Sequence, residues 1–249
     1  MTKEMPEKSS EKVEKALIEA ILGGTLPPES PLPGERELAA RYSVTRPTVR
    51  EALQRLIRDG WITVSQRRTT LVNDFWTEGN LNVLSTIAGS VVNVPSEFVA
   101  QLLEFREVIG PDYARKAVEN RSLQLVACLA KAPADGDIER LVDFDWELHR
   151  TMAVLSGNRI YPLILNSFSE MYCRMAVSYF AFEECRDASR RFYLELLKAA
   201  VNADARKAEE ITRSAMKESL ILWLRHATAQ GDPATAKDGT GATESGAGV

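Results

Sequence analysis

Residues 33–70 read PGERELAARYSVTRPTVREALQRLIRDGWITVSQRRTT, and the pattern in this stretch decides the fold of the first part of the chain. Leu38, Ala39 and Tyr42 recur at helical spacing. A polar break follows at Ser43-Val44-Thr45, and a second helical pattern then runs through Val49, Ala52, Leu53, Leu56 and Ile57. Two short helices joined this way form a helix-turn-helix. Thr45 has the hydroxyl an N-cap needs to accept from first-turn amides. Pro47 falls inside that turn, where its missing N–H costs little. The second helix is therefore predicted to begin near Arg46. Residues four apart share a helical face, so Arg46 and Arg50 project together while Val49, Leu53 and Leu56 turn the other way, toward a core.

Charge singles out the same stretch. Between Arg36 and Arg68 there are eight Arg and no Lys against Glu37, Glu51 and Asp59, a net +5 within a chain whose total is -4. A local contrast of this size points to a polyanion site. Arginine suits it, because its planar fork binds phosphate oxygens or the O6/N7 edge of guanine through two donors at once. The ordinary alternative is a solvated face with i,i+4 pairs such as Glu51 with Arg55. Asp59-Gly60 closes the helix with a residue suited to the left-handed C-terminal position. Residues 61–64 and 70–73 then read as two strands around a turn. The result is a winged helix-turn-helix. The turn carries Gln66, Arg67 and Arg68, long donors able to reach a minor groove or backbone, or simply a basic hairpin tip.

Outward from this core, Ser9 or Ser10 can cap a first helix with the apolar stripe Val13, Ala16, Leu17, Ala20 and Ile21, ending at Gly23-Gly24. Four prolines in residues 25–33 demand an extended connector. Residues 73–80, NDFWTEGN, lose periodicity and read as a linker, yet Phe75 and Trp76 are expected to pack against one or both flanking domains, making a coupled joint. From residue 77 onward 19 basic residues face 24 acidic ones, so the second part is not a nucleic-acid surface. Its pattern is helical throughout, with candidate helices at about 81–92, 96–119, 121–131, 137–155, 160–180, 186–202 and 204–226. Several are apolar on more than one side, as in an antiparallel bundle with a filled or ligand-bearing centre. The fold class is thus mainly α: a winged helix-turn-helix at 8–73, a linker at 74–80, an all-helical domain at 81–226, and a disordered tail at 227–249 rich in Gly, Ala, Thr and Asp.

Several classes are disfavoured. Cys128, Cys173 and Cys185 form no CxxC pair and are odd in number, so neither a disulfide framework nor a zinc ribbon is suggested. The polar N-terminus and the lack of a long apolar run argue against secretion or membrane spanning, and for the cytoplasm. No GxSxG, GxxxxGK[ST], GxGxxG or HExxH motif is present, so the chain reads as no enzyme and calls for no cofactor.

The run LPGERELAARYSVTRPTVREALQRLIRDGWI, residues 32–62, resembles the DNA-binding domain of the GntR family of bacterial regulators. NDFW at 73–76, SGN at 156–158 and YPLILN at 161–166 resemble its FadR subfamily, and the resemblance spans roughly residues 10–226. It implies a homodimer reading a palindromic operator, repressing or activating. Arg36, Arg46 and Arg50 would contact bases or adjacent phosphates, Thr45 and Thr48 the backbone, and Gln66 with Arg67 the wing's groove. Pro47 replaces a threonine of that subfamily, and Arg67 replaces its usual glycine. The C-terminal bundle would take a long-chain acyl-CoA that weakens DNA binding.

Pocket candidates are Arg106, His149, Tyr172, Tyr179, Tyr193, Glu218, Ser219 and Trp223, set among Leu, Ile, Met, Val and Phe, an interior suited to an acyl chain. Met216 stands where the resemblance has glycine. A second possibility is a small carboxylate held through a metal. Asp145 and His149 are four apart on one helical face, and the wider subfamily completes such a pair with two further histidines. Here those positions hold Tyr193 and Ala215, so His149 is expected instead to hydrogen-bond to Asp145.

Overall fold

A computed structural model describes residues 8–64, 69–89 and 96–229. Contacts divide the chain into two compact units, residues 1–93 and 94–249.

The first unit opens with α1 (Ser9–Leu22). Its N-cap is Lys8, one residue before the serines expected to cap it. Ser10 is buried within the helix instead, and the Glu11 carboxylate accepts from the Lys8 amide at 3.1 Å. The proline-rich connector is extended. It lies beside the wing, with Leu32 N donating to Thr70 O and Val72 N to Ser30 O. Helices α2 (Glu35–Arg41) and α3 (Arg46–Asp59) then form the helix-turn-helix. Thr45 caps α3 as its spacing predicts, its hydroxyl accepting from Thr48 N at 3.4 Å. Val49, Ala52 and Leu56 are fully buried against α1 and α2, together with Leu17 and Leu38. Burial of one such side chain contributes about 1.5–3 kcal/mol, and this apolar face is what aims the opposite face of α3 outward.

Gly60 ends α3 at φ +91°. Any Cβ there would also lie 2.4 Å from the carbonyl oxygen of Glu78, so glycine is required twice over. Strands β1 (Ile62–Val64) and β2 (Thr70–Val72) pair antiparallel with Ile62 opposite Val72. The wing tip, with Gln66 and Arg67, lies outside the described residues.

Two helices follow the wing, at residues 75–78 and 81–89. Asp74 caps the single turn α4 (Phe75–Glu78), and α5 (Leu81–Gly89) follows. Three asparagines tie this segment to the end of α3, whose last carbonyls have no partner inside the helix. Asn73 Nδ2 donates to Gly60 O at 3.0 Å, Asn80 Nδ2 to Arg58 O at 3.0 Å, and Asn82 Nδ2 to the buried Asp59 carboxylate at 2.8 Å. Asp59 also accepts two hydrogen bonds from Arg58, which hold its carboxyl below the usual range against the opposing effect of burial. The Phe75 ring sits 5.1 Å from that of Trp61, whereas the Trp76 ring packs against Phe75 at a tilt of 42° and stays 58% exposed.

The second unit is a bundle of α6 (Ser96–Leu129), α7 (Ile138–Leu155), α8 (Ile160–Asn166), α9 (Ser169–Phe180), α10 (Glu183–Val201) and α11 (Ala205–Ala229). Helix α6 is central and packs on α7, α10 and α11. It bends at Arg121 (φ -151°), where the sequence pattern separates two helices. The expected helix over 160–180 is instead two: Phe168 leaves helical geometry, its ring is buried, and the Ser167 hydroxyl bonds back to Leu163 O. Helix α11 runs three residues past the expected start of the tail, and 230–249 lie outside the described residues.

Candidate DNA-reading face and bundle cavity

On the outer face of α3, Arg46 and Arg50 have side chains 63% and 60% exposed. Arg36, Thr45 and Pro47 are exposed beside them, and Thr48 is half-buried. The hydroxyls of Thr45 and Thr48 lie 2.8 Å apart. The arginines are not free-swinging. Arg50 donates from Nε to Glu35 Oε1 at 3.0 Å and from Nη2 to Oε2 at 2.8 Å, and Arg46 Nη2 lies 3.7 Å from the same carboxylate. The Arg50 hydrogen bond is the largest influence on Glu35, holding its carboxyl below the usual range. Sequence reasoning missed Glu35, which stands one residue outside the arginine-rich window, fifteen positions before its partner. Arg55, by contrast, pairs with Glu51 as the i,i+4 spacing suggests and also with Glu14 on α1. It is therefore a structural arginine.

The second unit holds a partly open cavity of about 90 Å³ between α6, α7, α9, α10 and α11. Arg106, His149, Tyr172, Tyr179, Glu218, Ser219 and Trp223 line it, with Val99, Leu102, Leu103, Phe168, Met171, Met175, Phe180, Phe192 and Met216 supplying apolar walls. Tyr193 stands one layer behind. Its hydroxyl donates to Asp145 Oδ1 at 2.7 Å, and the Tyr172 hydroxyl donates to Asp145 Oδ2. Burial raises both phenols well above their ordinary range, so they act as donors. Glu218, also in the lining, is half-buried and pairs with Arg191 at 2.7 Å.

His149 is not bonded to Asp145. Its Nε2 is 4.0 Å from Oδ1, too far for a hydrogen bond, because both Asp145 oxygens are already taken by phenols. Arg106 Nη2 lies 3.0 Å from Nε2, and Tyr113 Oη lies 2.8 Å from Nδ1. A guanidinium can only donate, so Nε2 accepts and Nδ1 carries the proton. Burial first, and the Arg106 charge second, push the His149 pKa down to about 3. The Arg106 guanidinium also lies over the Tyr172 ring at 4.9 Å.

This set does not fit a metal. The only lone pair left on His149 faces a guanidinium, and the two positions expected to carry further histidines hold Tyr193 and Ala215. Tyr113, missed in the sequence, was findable: it is seven residues after Arg106, two turns along one face of α6. Two buried donors on residues that line the cavity, Arg106 Nε and Trp223 Nε1, have no hydrogen-bond partner among the described residues.

Comparison with known proteins divides the chain at nearly the same point as the sequence pattern. The family described as "Bacterial regulatory proteins, gntR family" matches residues 9–72, and the "FadR C-terminal domain" family matches residues 73–230. A fatty acid metabolism regulator protein of Shewanella frigidimarina is 38% identical over 213 residues, covering 85% of this chain and 89% of its own length. One from Edwardsiella ictaluri is 36% identical over 227 residues, covering 91% and 94%. The solved structure of Lar, which controls expression of the Listeria monocytogenes agr system, covers 89% of this chain and 99% of its own at 18% identity, with a TM-score of 0.58. That likeness shows a shared fold.

Proposed function

Because the chain belongs to the GntR family of bacterial regulators and carries the FadR C-terminal domain, we propose that it regulates fatty-acid metabolism as a homodimer whose operator binding is weakened by a long-chain acyl-CoA. It is a DNA-binding transcription regulator, as its family and relatives are, and not an enzyme. In this reading Arg36, Arg46 and Arg50 contact bases or adjacent phosphates, and Thr45 and Thr48 the backbone. Gln66 and Arg67 act from the wing, and the acyl group enters the cavity around Arg106, His149, Tyr172, Tyr179, Ser219 and Trp223.

The observation that carries the effector half is the interior of the second unit, an apolar cavity lined by Arg106 and Trp223, whose buried Nε and Nε1 lack an acceptor among the described residues. A thioester bound there offers an apolar chain to the walls, about 0.8 kcal/mol per buried methylene, and a carbonyl oxygen to the donors. The cavity's size fits the regulatory logic. About 90 Å³ is less than the roughly 150 Å³ that holds one benzene, so a long chain is taken up in full only if the helices separate. Binding is thereby coupled to a rearrangement, and operator and effector must weaken each other by the same factor.

The test is a mobility-shift titration with palmitoyl-CoA and oleoyl-CoA, together with mass spectrometry of ligand carried through purification. Operator affinity that falls as acyl-CoA rises supports the reading. Unchanged affinity across the titration removes the effector half and leaves the DNA half standing.

A further inference from the structure

We infer that Glu35 is a specificity-determining residue of the DNA-reading face, acting by holding Arg50 in the orientation that reads a base. The inference rests on the reading above in which Arg50 contacts DNA. A carboxylate on a surface that must approach phosphates is unfavourable by simple electrostatics, so its placement needs a reason. The geometry supplies one. Glu35 takes Nε and one Nη2 hydrogen of Arg50, through two bonds of 3.0 and 2.8 Å. A guanidinium has five N–H donors in a fixed plane. Three remain, both on Nη1 and one on Nη2. Two of these, one on each Nη, form the terminal fork, whose parallel donors match the O6/N7 edge of guanine.

Held by one edge, Arg50 presents the other as a rigid unit, and less side-chain freedom is lost when it meets a base. The same carboxylate lies 3.7 Å from Arg46 Nη2. Arg46 and Arg50 are like charges four residues apart on one helix, a pairing that otherwise repels. Glu35 between them keeps two guanidiniums side by side. It is itself anchored at the first position of α2, only 27% exposed, so the reference point for the reading face comes from the neighbouring helix and not from α3. Removing it should therefore hurt discrimination, while general attraction to a polyanion is retained or strengthened because one negative charge is gone.

The experiment uses the full chain and a duplex selected by the wild-type protein from a randomised pool, with a shuffled duplex of equal length and composition as reference. For Glu35→Gln, the ratio of selected to shuffled affinity is expected to fall about tenfold, within the range of one bidentate base contact, while shuffled affinity does not weaken. A ratio within about twofold of wild type, or equal weakening on both duplexes, overturns the inference. In an Arg50→Ala background, Glu35→Gln should leave the ratio unchanged. A further large loss there shows that Glu35 acts by another route and also overturns it. Arg50→Ala alone separates the two levels. If it leaves the ratio intact, the DNA role of Arg50 fails and this inference with it. If it lowers the ratio while Glu35→Gln does not, only the role of Glu35 fails.

Discussion

Lowering the pH from 7 to 5 should destabilise the helical unit by about 2 kcal/mol through one side chain, His149. The ring is 1% exposed and its pKa is pushed down to about 3, whereas an unfolded chain protonates histidine near 6.5. Between these values the unfolded state holds a proton that the native state refuses. Stability thus rises with pH across the window, is complete above about 6.5, and is lost as pH falls toward 3. Each pH unit is worth about 1.36 kcal/mol, so the 1.5 units from 6.5 to 5 give about 2 kcal/mol. The acids held low, Asp112 at about 2 with Asp59 and Glu35 also lowered, release their contributions mainly below pH 4 and leave this window to the histidine. The assay is urea unfolding by circular dichroism at pH 7 and pH 5, on wild type and His149→Gln, which retains an acceptor for Arg106. The variant should be weaker at pH 7 by about 1–3 kcal/mol but should lack most of the pH-dependent loss. An equal loss in both proteins would mean that the ring is not held neutral between Arg106 and Tyr113.

Arg46→Ala and Arg50→Ala should each cost about 1–3 kcal/mol of discrimination between operator and mismatched duplex in mobility shifts, and undiminished preference in both would remove them from the reading face. Gly60→Ala should cost at least the roughly 1–2 kcal/mol of a left-handed alanine, with more added by the approach of Glu78 O; denaturant unfolding that matches wild type would refute this. Thr45→Ala should lower stability by about 1 kcal/mol through loss of the α3 cap. Met216→Ala should enlarge the cavity and lower the acyl-CoA concentration that releases operator, at a stability cost of about 2–5 kcal/mol; release at an unchanged or higher concentration would place Met216 outside the acyl path.

The helix-turn-helix, its cap at Thr45, the stop at Gly60, the outward Arg46 and Arg50 and the helical second part are legible in the sequence. Each follows from forces acting over a few residues: hydroxyl to amide, missing Cβ, apolar spacing against the helical repeat. What the bases would meet was not legible, because Arg50 is held by Glu35, fifteen positions away. Nor was the state of His149. Its spacing to Asp145 suggested a mutual bond, but phenols from α9 and α10 occupy the acid, while Arg106 and Tyr113 from α6 occupy the ring. Helical spacing says which side chains share a face. Only packing brings distant donors and acceptors together in a low-dielectric interior, and in that interior the nearest satisfied geometry decides which polar groups pair.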